Sequence, residues 1–271
     1  MIGQKLFAGF PWYDLPEMHA ANDALWLAIA TELRTLNVRD VPLALERRVA
    51  HTRGNEAACL FTQTCGYPLL TTTRDRYTVL GAPCYRVAGC TGALHRSFIV
   101  VRENVRAATL EDLRGTRFAV SEVDSNSGMN LPRRLFAPLA REGRFFAQTV
   151  LTGSHAASAA LVDAGGADAA AVDCVTFAFL ERYRPAAVRG LRVLAQTQPA
   201  PTPPLTTSRH TGDPIVAALR QALGNVVRNP AYASVCEALF LADITFCSED
   251  AYAIVLDYER DAQRLGYAEL R

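Results

Sequence analysis

Hydrophobic positions in the middle of the chain change repeatedly between two spacings. Short runs rich in apolar residues predict strands at 97–101, 117–121, 148–151, 167–172 and 191–195. Apolar residues recurring every three to four positions predict helices at about 129–140, 155–163 and 175–183. Strands that alternate with helices in this way predict an α/β fold built on a mostly parallel sheet.

The mixed pattern continues on both sides of this region. Before it, we expect strands at 5–10, 57–61 and 77–80 and a helix over about 17–36. After residue 207 the pattern predicts helices at 214–227, 231–239 and 248–265. The intervening residues 196–207 contain four prolines, so we expect neither a helix nor a central strand there and interpret the segment as a crossing between two lobes.

Length and charge exclude several classes of function. The 271 residues allow one large or two medium domains, and half of the residues are hydrophobic. Lys and Arg total 28 against 27 Asp and Glu, a balance that does not indicate nucleic-acid binding or a membrane-surface role. Every apolar run ends before the ~20 residues that a transmembrane helix needs. The apolar stretch after Lys5 is too short for a secretory leader, so we expect a cytoplasmic protein or a mature form.

The cysteines and histidines do not form a recognisable metal motif. The seven cysteines include no C-x-x-C pair, which indicates reduced thiols and no structural zinc site, although Cys84 and Cys90 are close enough in sequence to bridge in an oxidising compartment. The five histidines do not cluster in sequence. Because G-x-S-x-G, G-x-G-x-x-G and the Walker phosphate loop are all absent, we expect no cofactor.

The segment Ser125-Asn126-Ser127-Gly128 lies between a predicted strand and a predicted helix. The first N–H groups of a helix lack partners and carry the positive end of the helix dipole, and neighbouring hydroxyls add donors. This arrangement suits an anion such as phosphate, phosphonate or carboxylate. Ser and Asn are also the usual capping residues, so a plain helix cap is the alternative interpretation.

The segment Thr152-Gly-Ser-His155 has the same form. We expect Ser154 to cap the following Ala-rich helix, which presents a second set of free N–H groups. His155 either donates to an anion or packs against the helix. Asp173, at the end of a predicted strand, either binds a cationic group of a ligand or caps the next helix.

Further candidates follow predicted strands in the first part of the chain. In α/β sheets, ligands bind beyond the carboxyl ends of the strands. The side chains expected at this position are Trp12, Tyr13, Gln63, Thr64, Cys65 and Tyr67.

Six stretches together carry a family resemblance. They are RGTRFAVS (114–121), DSNSG (124–128), TGSHAASAALV (152–162), GADAAAVD (166–173), QTCGYP (63–68) and RSFIVVR (96–102). Their order and spacing resemble the phosphate/phosphonate ABC-transporter substrate-binding family. The resemblance implies a type 2 periplasmic-binding-protein fold, with two lobes that each hold a mostly parallel sheet flanked by helices, two crossover segments and a ligand cleft between the lobes. Lobe one is then 1–97 plus 196–271, and lobe two is the inserted segment 98–195.

The resemblance also implies roles for individual residues. Ser125, Asn126 and Ser127 would hold the oxyanion, together with His155 from the next helix start. Asn126 departs from the family, which often has Thr at this position. The acidic pair expected for an aminophosphonate is reduced to one candidate, Asp173, which favours a phosphate-like anion, another phosphonate or an organic carboxylate.

Three functions stay open at this stage. The first is a periplasmic solute-binding protein that captures a small anion for an ABC permease. The second is an enzyme on the same fold, similar to those of thiamine-pyrimidine synthesis, that uses Cys65, Cys174 or His155. The third is a cytoplasmic ligand sensor that docks to a protein partner.

Overall fold

The computed structural model describes residues 5–47 and 56–271. The chain divides into two compact units. Unit 1 comprises the chain up to Arg86, Thr91–Ala93 and Pro201–Ala251. Unit 2 comprises Val87–Cys90, Leu94–Ala200 and Tyr252–Arg271. Within the described ranges, none of the helices combines the length and the apolar character needed to cross a lipid bilayer.

Both units contain strands and helices. The strands are β1 (Phe7–Ala8), β2 (Cys59–Gln63), β3 (Tyr77–Tyr85), β4 (Leu94–His95), β5 (Ser97–Arg102), β6 (Arg117–Val120), β7 (Gln148–Leu151), β8 (Ala169–Asp173), β9 (Leu191–Gln196), β10 (Ala200–Pro201), β11 (Leu205–Ser208) and β12 (Leu241–Thr245). The α-helices are α1 (His19–Thr35), α2 (Gly66–Leu70), α3 (Leu131–Phe136), α4 (His155–Asp163), α5 (Cys174–Tyr183), α6 (Asp213–Arg228), α7 (Ala233–Ala238) and α8 (Ile254–Arg264).

Unit 1 is built on a five-stranded sheet of order β1-β2-β11-β3-β12. Only β1 and β2 are parallel, and the other three neighbouring pairs are antiparallel. The expectation of no central strand in 196–207 is wrong at its end, because β11 begins at Leu205 and lies between β2 and β3. The last proline, Pro204, precedes this strand, so no proline removes a donor from the pairing itself.

Unit 2 contains a sheet of order β7-β6-β8-β5-β9. Strand β6 runs parallel to both β7 and β8, whereas β5 is antiparallel to β8 and β9. Strand β5 thus runs against the other four strands of this sheet, so the α/β class and the mostly parallel sheet are confirmed for unit 2. The sheet of unit 1 is mixed, because β11 and β12 run against β1, β2 and β3. Hydrophobic spacing does not distinguish parallel from antiparallel strands, because strand direction depends on the connections between elements.

The end of the chain belongs to unit 2, whereas the family resemblance grouped it with the first lobe. The predicted helix at 248–265 is a short 3-10 segment, Glu249–Tyr252, followed by α8. Asn130 donates from Nδ2 to the carbonyl of Val255 at 2.9 Å, and Arg134 pairs with Asp261 at 3.0 Å. These contacts attach α8 to α3 and to the residue before it, and the chain passes from unit 1 into unit 2 again at residues 251–252.

Four phenylalanines form the centre of the unit 2 core. The rings of Phe118 and Phe146 stack with centroids 4.4 Å apart, and Phe136 meets Phe145 at 4.9 Å. All four side chains are buried. Burial of each ring contributes about 1.5–3 kcal/mol. Phe118 lies in β6 and Phe136 in α3, so this cluster holds the two elements that flank residues 121–130.

Candidate functional site

The segment between β6 and α3 forms a tight capped turn. Ser125 is extended and its Oγ accepts a hydrogen bond from the N–H of Gly128 at 2.9 Å. A π-type turn, Asn126–Asn130, follows and runs directly into α3 at Leu131, slightly later than the predicted start near 129–130. Asn126 and Ser127 therefore occupy the first helical positions, whose N–H groups have no carbonyl one turn earlier.

This turn, residues 125–128, is packed closely on its inner side. A Cβ atom on Gly128 would lie 1.9 Å from Oγ of Ser121, so only glycine fits there. Ser97 donates from Oγ to the carbonyl of Ser127 at 2.7 Å, and Thr197 Oγ1 accepts from the N–H of Ser97 at 2.9 Å. Ser97 in β5 thus fixes the turn directly, and Thr197, the residue after β9, holds Ser97 in place.

His155 joins the turn from the start of α4. Its Nε2 lies 2.8 Å from Oγ of Ser127, and its Nδ1 lies 3.1 Å from the carbonyl oxygen of Ala171. Because a carbonyl can only accept, Nδ1 carries the proton and the neutral ring accepts from the Ser127 hydroxyl at Nε2. Burial lowers the pKa of His155, which favours this neutral form.

Ser154 plays a different role from its neighbour His155. Its Oγ accepts from the N–H of Ala157 at 3.1 Å, as expected of a helix cap, and the residue is exposed. The residue of this second helix start that reaches the 125–128 turn is therefore His155, through Ser127.

Asp173 caps α5 and binds a histidine. Its Oδ1 accepts from the N–H groups of Val175 and Thr176, both at 2.9 Å, and its Oδ2 lies 2.5 Å from Nδ1 of His95. The Asp173 and His95 side chains are 3% and 2% exposed. Burial acts to raise the pKa of Asp173, but His95, His155 and the cap outweigh it and the pKa is lowered. The capping interpretation is confirmed.

The structure describes all seven cysteines, and none of them is in a disulfide. Cys84 Sγ lies 3.4 Å from Oγ1 of Thr245 in unit 1, whereas Cys90 Sγ lies 3.6 Å from Cys174 Sγ in unit 2. The alternative of a Cys84–Cys90 bridge is not supported, because the neighbour of Cys90 is Cys174.

In unit 1, the aromatic candidate Tyr13 contacts Tyr85, which lies beside the side-chain amide of Gln63. Tyr13 meets Tyr85 edge to face with ring centroids 5.3 Å apart. Gln63 Nε2 lies 3.4 Å from the Tyr85 hydroxyl and donates to the carbonyl of Pro203 at 2.9 Å. Trp12 is half-buried. Tyr85 was missed because we expected its strand to end at residue 80, whereas β3 continues to Tyr85.

The other unit 1 candidates form the start of a short helix. Thr64 donates from its N–H to the carbonyl of Pro204 at 3.1 Å, and Cys65 precedes α2 as its N-terminal flanking residue. Tyr67 lies in α2, and its carbonyl accepts from Oγ1 of Thr71 at 2.7 Å. These side chains are mostly buried, and they belong to unit 1.

Sequence reasoning missed four residues of the unit 2 site, namely His95, Ser97, Ser121 and Thr197. Two histidines that are distant in sequence both lie beside Asp173: His95 bonds Asp173 Oδ2, and His155 Nδ1 lies 3.4 Å from the N–H of Asp173. The antiparallel pairing of Ser97 with Asp173 brings these groups together, and no sequence signal indicates that register. His51 lies outside the described residues.

Two further observations concern a buried hydroxyl group and possible metal ligands. Oγ of Ser121 is buried and has no hydrogen-bond partner among the described residues. Within the same ranges, no group of three or more His, Cys, Asp or Glu side chains is placed to hold a metal ion.

Comparison with known sequences identifies one protein family. The sequence profile of periplasmic substrate-binding proteins of phosphonate ABC transporters matches residues 7–252. Comparison with curated proteins gives no match.

Comparison with solved structures identifies proteins of the same fold. A binding-protein component of an ABC phosphonate transporter from Pseudomonas aeruginosa superposes with a TM-score of 0.76 at 17% identity, covering 97% of this chain and 88% of that one. A Prochlorococcus marinus protein in complex with methylphosphonate gives 0.74 at 15% identity, covering 96% and 99%. A Xanthomonas citri protein bound to ATP gives 0.70 at 16% identity, covering 97% and 98%.

Proposed function

Because the chain belongs to the family of periplasmic substrate-binding proteins of phosphonate ABC transporters, we propose that it captures a small phosphonate- or phosphate-like oxyanion at the 125–128 turn of unit 2. The family consists of binding proteins, so the function is capture of a small ligand and not catalysis. The enzyme hypothesis built on Cys65, Cys174 or His155 is therefore not retained.

The observation that carries the proposal is the meeting of Ser127 and His155. Two polar side chains from different helix starts lie within 2.8 Å of each other, next to the N–H groups at the first positions of the helical segment after Ser125. Hydroxyl and amide N–H groups are donors to an oxyanion, and the imidazole of His155 holds the Ser127 hydroxyl beside them. Their convergence supports a cradle for negative charge.

The strength of such a cradle is of the order that capture needs. A hydrogen bond to a charged group contributes about 1.5–3 kcal/mol. Three or four such bonds contribute about 4.5–12 kcal/mol, a range that includes the roughly 8 kcal/mol of micromolar affinity, before the cost of ordering the ligand is subtracted. The proposed ligand-binding residues are Ser125, Asn126, Ser127, Gly128 and His155, with Ser154 contributing as a helix cap.

The contacts of Asp173 support a ligand without an ammonium group. Both of its oxygens are already engaged, by His95 and by the N–H groups of α5. We therefore place methylphosphonate, the ligand of the Prochlorococcus relative, and inorganic phosphate ahead of aminoalkylphosphonates. Asp173 then acts indirectly, by holding the strand end and the helix start beside His155.

The unit 1 candidates are proposed as separate ligand contacts. They are Trp12, Tyr13, Gln63, Thr64, Cys65 and Tyr67. The clustering of Tyr13, Gln63 and Tyr85 supports a role in contacting an organic group, since aromatic rings offer apolar surface and the amide offers a directional bond. Delivery to an ABC permease in the periplasm follows from the family and is part of the same proposal.

Calorimetric titration with methylphosphonate, phosphate, 2-aminoethylphosphonate and acetate tests the proposal. We expect one site with the tightest binding for methylphosphonate or phosphate. The double variant Ser125→Ala/Ser127→Ala should lose most of this affinity, while the matched variant Ser248→Ala, at an exposed serine of unit 1, should keep it. Equal affinity of the double variant and the wild type would place the anion elsewhere.

A further inference from the structure

We propose that Cys90 and Cys174 form a disulfide when unit 2 meets an oxidising small-molecule disulfide. The two Sγ atoms lie 3.6 Å apart, close to van der Waals contact, although the residues are 84 positions apart in sequence. Both residues belong to unit 2. The inference rests on this geometry alone and is independent of the anion-binding proposal.

The backbone around Cys90 is shaped for this approach. The N–H of Cys90 bonds the carbonyl of Val87 at 3.2 Å, which closes residues 87–90 into a turn. Gly89 has a positive φ of 87°, and a Cβ atom there would lie 2.9 Å from both Cys174 Cβ and the Phe98 ring. The missing side chain is what allows the turn to lie against the start of α5. The contact between the thiols is therefore built into the fold.

The two thiols differ in access to solvent. Cys90 is partly exposed, whereas Cys174 is buried. The hydrogen bond with Cys90, burial and the negative charge of Asp173 all raise the pKa of the Cys174 thiol. Cys90 is thus the thiol that meets a reagent first.

The reaction with oxidised glutathione balances as thiol–disulfide exchange. The Cys90 thiolate, formed by loss of a proton to water, attacks one glutathione sulfur, and one glutathione thiolate leaves. Cys174 then loses its proton and attacks Sγ of Cys90, and the second glutathione thiolate leaves. The protein loses two protons and two electrons, and one molecule of oxidised glutathione becomes two of the reduced form once the leaving thiolates take up two protons.

The disulfide would join the turn at residues 87–90, which precedes β4, to the first residue of α5. A crosslink between distant positions restricts the unfolded chain and raises stability, more so for a long loop. We expect the oxidised protein to melt about 5 °C or more above the reduced protein. Disulfides of this kind persist only in oxidising compartments.

Peptide mapping of the full chain tests the inference. After treatment with oxidised glutathione and alkylation under denaturing conditions, trypsin should yield the peptide 87–96 joined to the peptide 145–182, with a mass two hydrogens below the sum. The Cys90→Ser variant should lose both this product and the rise in melting temperature, whereas Cys84→Ser should keep both. Full alkylation of Cys90 and Cys174 after oxidation, or a link from Cys90 to any other cysteine, would overturn the inference.

Discussion

Oγ of Ser127 lies 2.8 Å from Nε2 of His155, although the two residues belong to different helical segments. The neutral imidazole accepts from the hydroxyl when no ligand is bound, because Nδ1 is occupied as a donor to Ala171. An arriving oxyanion replaces the imidazole as acceptor for the Ser127 hydroxyl. This contact therefore marks where the two halves of the proposed cradle meet.

Ser127→Ala should weaken anion binding while leaving the fold intact. The variant removes one donor to a charged ligand, a loss of about 1.5–3 kcal/mol or roughly tenfold to hundredfold in Kd. Calorimetry with methylphosphonate measures the change, with Ser248→Ala as the control. An unchanged Kd would remove Ser127 from the site.

Gly128→Ala should destabilise the 125–128 turn through a steric clash. The new Cβ would lie 1.9 Å from Oγ and 3.1 Å from Cβ of Ser121. We expect a loss of about 1–3 kcal/mol in the free energy of unfolding, as for overpacking in a core.

A second substitution separates this clash from other causes. Ser121→Gly removes both clashing atoms, so the double variant Gly128→Ala/Ser121→Gly should be less destabilised than the sum of the single variants. Gly212→Ala is the matched control, since its Cβ would meet no atom closer than 3.8 Å. Additive effects in the double variant would contradict the packing argument.

Stability should fall as the pH drops from 7.5 to 5.5, in part because of His155. Burial lowers its folded pKa below the unfolded value of about 6.5, so the unfolded chain binds the proton more readily in this range. His155→Gln should therefore flatten the decline of the melting temperature with falling pH.

Two neighbouring groups bear on this pH experiment. The lowered pKa of Asp173 places the loss of its stabilising charge at more acidic pH, outside the range. His95 faces Asp173 and is retained in the His155→Gln variant. His210→Gln, at an exposed position of unit 1, should follow the wild-type curve. If the melting temperature of His155→Gln falls with pH as steeply as that of the wild type, His155 does not control the pH dependence.

Asp173→Asn should destabilise unit 2 while keeping the cap of α5. The amide oxygen can still accept from Val175 and Thr176, but the buried carboxylate beside His95 is lost. Removing one partner of a buried hydrogen bond to a charged group typically costs about 1.5–3 kcal/mol. Urea unfolding of Asp173→Asn, His95→Gln and the double variant measures the coupling, and a coupling energy near zero would contradict a direct interaction.

The sequence predicted much of unit 2 and several of its caps. The positions of β5 to β9 were predicted to within a few residues. For β5, β6 and β8, burial of the strand leaves a continuous apolar run. The caps at Ser125, Ser154 and Asp173 were predictable for a similar reason, since a cap bonds N–H groups two or three positions away. The family was identifiable from its spaced motifs.

The remaining features depend on contacts between distant parts of the chain. His95 meets Asp173 across 78 positions, and Cys90 meets Cys174 across 84. Neither contact can be predicted from the spacing of hydrophobic residues, because both depend on the turn at 87–90 and on the antiparallel register of β5 and β8. Hydrophobic periodicity also does not predict that β11, directly after two prolines, is a central strand. Nor does it predict that residues 252–271 belong to unit 2.

Local pattern thus determined which residues become strands, helices and caps, because the free energies of hydrophobic burial and capping depend on neighbours within one or two turns of chain. Only the tertiary structure decided the direction of each strand, the partners of His95 and Cys90, and the distance between Ser127 and His155. These are set by how the elements pack together, and the energy of that packing is a property of the whole unit.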